Sequence, residues 1–167
     1  MNMRIDFHSN VSNQLDYACR LIRKAFFAQC KLIVWHQDKE QLAQFDQLLW
    51  TFSATDFLPH VVLEQGNHPL APHTPILLAM PSDDTFTSLS DINVKHHKVL
   101  INLSDKVPTH FAQYERLIEV VPRAPDLVPT DTNTTAYATI QAAIQAGRER
   151  YRFYQQQGYQ INHINAK

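Results

Sequence analysis

MRIDFHSNVSNQLDYACRLIRKAFFAQCKLIVWHQDKEQLAQFDQLLWT, residues Met3 to Thr51, decides the fold. Met3, Ile5 and Phe7 alternate with Arg4, Asp6 and His8, the period of a strand. Ser12 or Asn13 can cap the next segment, where Leu15, Ala18, Cys19, Ile22 and Phe26 recur at three and four residues, ending near Gln29. Lys31 to Trp35 is a continuous apolar run rich in β-branched residues, a strand covered on both faces. Asp38 caps a second helix whose stripe is Leu42, Phe45, Leu48, Leu49 and Trp50. Strand, helix, strand, helix predicts an α/β sheet with right-handed crossovers.

Outward from this stretch the same reading continues with less order. A short strand is expected near Val61, then a loop through His68 and His73 to Pro75, where prolines and Gly66 rule out helix. PILLAM (Pro75 to Met80) and KVLINL (Lys98 to Leu103) are two more buried strands, separated by an irregular polar segment, Pro81 to His97. His110 to Tyr114 makes a short helix, and Arg116 to Val121 makes a last strand ended by Pro122. Residues 122–135 lack apolar periodicity and form a surface excursion. A terminal helix runs from about Thr134 to Gln157, with Gly158 as its stop.

With 167 residues, 44% of them hydrophobic, the chain forms one domain with one core. A net charge of −1 excludes a protein that coats nucleic acid or membrane through bulk charge. Cys19 and Cys30 form no CxxC pair and read as reduced, buried thiols. No apolar run reaches the length of a membrane span or a signal sequence, so a cytoplasmic protein is expected.

The search for chemistry is largely negative. The only glycines are Gly66, Gly147 and Gly158, so neither GxGxxG nor GxxxxGK[ST] is present. Neither HExxH nor a Cys/His grouping supplies the ligands of a metal site. His8, His36 and His60 read as polar surface residues, and Asp6, Asp38 and Asp46 as caps and surface pairs. No catalytic residue, cofactor or metal is assigned.

Two stretches stand out. In GRERYRFYQQQGYQINHINAK (Gly147 to Lys167), Arg148, Arg150, Arg152 and Lys167 face one carboxylate, Glu149. Arg148 and Arg152 are four apart with Tyr151 between them, so one helix face joins guanidinium and ring. That combination suits a carboxylate on an aromatic or apolar residue, such as the end of a peptide. A solvated helix face, or a small α/β enzyme acting on an anionic substrate through Arg148 and Arg152, are the other readings. The second stretch holds Trp50, Phe52, Phe57, Leu58 and Pro59 at the end of the second helix. These side chains either fold back into the core or form a protein-binding patch.

FDQLLWTFSATDFLPH, VLINLS, EVVP and above all GRERYRFYQQQGYQIN resemble the chi subunit of bacterial DNA polymerase III, an accessory protein of the clamp loader. The resemblance runs from the first strand to Asn162 in the same order. It implies a single Rossmann-like domain without nucleotide, cofactor or catalytic site. It also implies two partners: the psi subunit, and the acidic C-terminal tail of single-stranded DNA-binding protein, with single-stranded DNA reached only indirectly. The family's tail-binding pattern matches Val121, Arg148, Tyr151, Arg152 and Gly158, and its psi-binding pattern matches Trp50, Phe57, Leu58 and Pro59. Two departures are visible. Ile144 stands where the family often places a lysine, and the segment after Pro122 is longer than usual.

Overall fold

The structure, a computed structural model, describes residues 3–52, 57–63, 73–80, 97–108, 111–124 and 135–166. Seven strands form one sheet in which every pairing is parallel: β1 (Arg4–Val11), β2 (Lys31–Trp35), β3 (His60–Val62), β4 (Ile76–Ala79), β5 (His97–Asn102), β6 (Arg116–Pro122) and β7 (Ile161–Asn165). Their order across the sheet is β3-β4-β2-β5-β6-β1-β7. Three helices flank it among the described residues: α1 (Gln14–Phe27), α2 (Lys39–Thr51) and α3 (Thr135–Gln156). The α/β sheet and single Rossmann-like layer arrangement expected from the sequence are therefore present. A single 3-10 turn, Phe111–Gln113, stands where a short helix was expected. Most of the 122–135 excursion and the 81–97 segment lies outside the described residues.

The helix ends follow from their residues. Asn13 Oδ1 accepts from Asp16 N at 3.1 Å, and Asp38 Oδ1 accepts from Glu40 N at 2.9 Å, each satisfying a donor the first turn leaves open. At the end of α3, Gly158 has φ +89°, its N–H donates to Gln155 O, and Tyr159 N donates to Tyr154 O. This Schellman closure reverses the chain into β7. The end of α1 closes the same way with Gln29 at φ +62°, a conformation that costs a non-glycine residue about 1 kcal/mol.

Strand alternation sorts the core into two layers. Leu32, Val34, Ile76, Leu78, Val99, Ile101, Ile118 and Val120 face α1 and α2, where Ala18, Cys19, Ile22, Leu42, Phe45 and Leu49 are buried. Ile5, Phe7, Ile33, Trp35, Leu77, Leu100, Leu117 and Val121 face the opposite side, where Tyr154 of α3 enters. Cys19 is buried and Cys30 half-buried, and both are free thiols, with burial pushing Cys19 up to about 12.

Three histidines overturn their surface assignment: His8, His36 and His60 are all buried. Each is held by a neighbour that satisfies at least one ring nitrogen. His8 Nδ1 lies 2.5 Å from Tyr17 Oη, His36 Nδ1 accepts from Asp38 N at 3.0 Å, and His60 Nδ1 lies 2.7 Å from Leu58 O. Asp6, read as a surface group, is buried on the α1 side, where Arg116 donates to it at 2.7 Å and Arg4 at 3.0 Å. Burial alone would raise the Asp6 carboxyl, but the two arginines and Asn162 hold it below the ordinary carboxylate range.

Candidate functional site

On the α3 side of the sheet, a cleft of about 400 Å³ opens between β6, β1, β7 and α3. Phe7, Val121, Ile144 and Tyr151 give it apolar walls, while Arg148, Arg123 and His163 bring polar groups to its lining. Gly147 makes the close approach of α3 to β6: a Cβ there would stand 2.8 Å from Val121 Cγ2. Tyr151 leans edge-on against Phe7, with ring centroids 5.2 Å apart. Among the described residues, the lining contains no carboxylate.

Beneath α3 lies a buried polar network that fixes the helix from its inner face. Arg150 Nε donates to Glu119 Oε1 at 3.0 Å, and Tyr154 Oη donates to Glu119 Oε2 at 2.5 Å. Asn102 Nδ2 donates to both carboxylate oxygens, and its Oδ1 accepts from Ser104 Oγ at 2.6 Å. Burial pushes the Glu119 carboxyl up, against the pull of Arg150, Tyr154 and Asn102, and burial with the adjacent Glu119 pushes Tyr154 up. Arg150, counted with the exposed cations from sequence, is therefore an internal residue. Arg148 and Arg152 remain on the surface.

Of the five residues expected to bind a tail, the cleft brings together Val121, Arg148 and Tyr151. Val121 is a buried wall residue, Arg148 is exposed and Tyr151 is half-buried. Arg152 is exposed one turn farther along α3 and does not line the cleft, and Gly158 closes the helix. Sequence reasoning missed His163, because β7 was read as tail. It also missed Glu119 as a network centre, although a lone acid inside the apolar run RLIEVV demands a buried partner.

The aromatic stretch lies at the end of α2. Phe57 is 65% and Trp50 45% exposed, with ring centroids 5.4 Å apart. Trp50 rests on His60 at 4.2 Å, and His60 is tied to Asp46 Oδ1 at 3.0 Å, so the indole stands on a held ring. Pro59 is half-buried, while Leu58 is buried in the core beneath. Residues 53–56 of this stretch lie outside the described residues.

Residues 2–132 match the family described as DNA polymerase III chi subunit, HolC. The chain belongs to the DNA polymerase III chi subunit family. Chi is an accessory subunit of the polymerase and not its catalytic subunit, which gives this chain a replication accessory role. The chain is also 27% identical over 162 residues to the DNA polymerase III subunit chi of Pseudomonas aeruginosa, covering 95% of this chain and 93% of that protein. The chi family match spans β1 to β6 and the aromatic patch but ends before α3, whereas the pairing with the Pseudomonas protein covers α3 as well. Among the described residues, no group of three His, Cys, Asp or Glu side chains is placed to hold a metal, and no helix is long and apolar enough to cross a membrane.

Proposed function

We propose that this chi-family chain is a non-catalytic adaptor of the clamp loader, acting in the cytoplasm and joining the psi subunit to the acidic C-terminal tail of single-stranded DNA-binding protein. The observation that carries this reading is the separation of two unlike surfaces. The exposed Trp50 and Phe57 lie with α2 on one side of the sheet, and the arginine-rimmed apolar cleft lies with α3 on the other.

An exposed aromatic pair on a rigid support is the kind of surface that anchors a protein partner. In this reading Trp50, Phe57 and Pro59 make the psi contact, and Leu58 acts from the core by fixing the loop that carries Phe57. The cleft suits the tail for a different reason. A terminal apolar side chain enters between Val121, Ile144 and Tyr151, and Arg148 takes the carboxylate, with Arg152 and the backbone near Gly158 serving acidic residues farther along. Ile144 in place of a lysine exchanges one cation for apolar wall.

The test is assembly of a ternary complex. The chain is mixed with psi and a tail peptide and run by size-exclusion chromatography with a labelled peptide. Co-elution of all three supports the adaptor, and displacement of the peptide by psi defeats it.

A further inference from the structure

We propose that His163 is an anion-contacting residue of the α3 cleft, so that an acidic peptide held there binds more tightly once the imidazole is protonated. This rests on the tail-site reading above.

The pairing of β7 with β1 sets His163 opposite Phe7, and its ring reaches the cleft beside Tyr151, with centroids 6.3 Å apart. His163 Nε2 lies 2.6 Å from Ser9 Oγ. A serine hydroxyl accepts from a protonated ring nitrogen and donates to a bare one, so Ser9 keeps the ring oriented in either charge state. Among the described residues, Nε2 is the ring nitrogen with a partner, which leaves Nδ1 for a ligand, and in the imidazolium Nδ1 is a donor whichever tautomer the neutral ring adopts. Among the described residues, the charged groups that line the cleft with this ring are Arg148 from α3 and Arg123 after β6, and β1 contributes Ser9 and Asn10. Among the described residues that line the cleft there is no carboxylate, so the ligand is the source of counter-charge for an imidazolium there.

Histidine changes charge between about pH 5 and 8, whereas peptide carboxylates near pKa 4 stay ionised there. Binding and protonation are then linked: a ligand that favours the imidazolium takes up protons as it binds.

The experiment uses the full chain and a synthetic acidic peptide ending in phenylalanine with a free carboxylate, titrated at about pH 6 and about pH 8 at fixed ionic strength. Affinity should rise roughly three- to tenfold at the lower pH, the size of one charge-assisted contact at an open site. His163→Gln should flatten the dependence between the two pH values. Proton uptake, read by calorimetry in buffers of different ionisation enthalpy, should fall with it. A pH-independent affinity that Arg148→Ala still weakens overturns the role of His163 and leaves the tail site standing, as does a dependence that survives in His163→Gln. Absence of binding at both pH values overturns the tail site and this inference together.

Discussion

Arg150 and Glu119 form an ion pair of 3.0 Å, with the Arg150 side chain 5% exposed and that of Glu119 fully enclosed. Removing one member leaves the other charged in a dry site, which costs about 3–5 kcal/mol. Arg150→Met should therefore lower the urea midpoint strongly, and Glu119→Gln paired with Arg150→Met should recover part of the loss, because the amide removes the charge and its oxygen still accepts from Tyr154 or Asn102. Arg148→Ala, two residues away but exposed, should change stability by no more than about 0.5 kcal/mol. Equal stability of Arg150→Met and Arg148→Ala in urea would refute the internal role.

Gly147 presses α3 against Val121, and a methyl group there would meet Cγ2 at 2.8 Å and Cγ1 at 3.0 Å. Alanine improves helix propensity by about 1 kcal/mol over glycine, but overpacking against a β-branched side chain costs about 1–3 kcal/mol. The net for Gly147→Ala is destabilisation of about 1 kcal/mol, relieved when Val121→Ala is added. Additive effects of the two substitutions in thermal melts would show that the contact does not limit the approach of the helix.

Arg148→Ala should weaken an acidic peptide with a free terminal carboxylate by roughly tenfold to a hundredfold, the range of a hydrogen bond to a charged group. The fold should be intact by circular dichroism. Salt should weaken the wild-type complex, because an exposed guanidinium is screened within about 8 Å at physiological ionic strength. Calorimetry that finds the same affinity at low and high salt would remove the ionic contact from the cleft.

Phe57→Ala should cost about 2 kcal/mol or more in binding psi and leave peptide binding unchanged. The double variant with Arg148→Ala should add its effects to within about 0.5 kcal/mol, as distant sites do. Titration of both ligands against both single variants decides this, and loss of peptide binding in a folded Phe57→Ala would point to one shared site.

Stability should fall on acidification. Burial lowers His8, against Asp6, and lowers His36, against Asp38 and Asp105, so the unfolded chain takes up protons below about pH 6.5 that the folded chain resists. The stabilisation is complete above that value and is lost as pH drops towards the folded values. For His8 burial is the main cause, and among the described residues its buried Nε2 has no hydrogen-bond partner to help hold a second ring proton. Asp6 adds a further loss at lower pH, since its depressed carboxyl stabilises the fold above about 3.8 and ceases to do so as pH falls through its folded value. Urea midpoints at about pH 7.5 and 5.5 should differ, less so in His8→Gln. Equal midpoints would exclude the buried imidazoles as the cause.

The parts of the fold legible in the sequence are those where one physical signal acts alone. Asp38 caps α2 as its position requires, the apolar runs of β2, β4 and β5 became central strands, and Gly158 adopts the left-handed turn that ends α3. β7 was not legible. Ile161 and Ile164 are three apart and so point to opposite sides of an edge strand, and the segment shows no apolar alternation. The buried histidines were misread for a related reason: composition prices imidazole as polar, while Tyr17, Asp38 and Leu58 supply partners that only the tertiary arrangement brings near. Arg150 looked like its neighbours Arg148 and Arg152, and only helix phase against Glu119 distinguishes it.

The place of β1 between β6 and β7 has a consequence for synthesis. Ile5 pairs with Leu117 on one edge and with Ile161 on the other, so β1 leaves the ribosome and waits for partners more than a hundred residues later in the chain. Pairings of such long sequence separation form late, because loop closure must precede any gain from contact. While translation proceeds, both edges of β1 stay open to other chains, and the vulnerable interval ends only when β7 emerges.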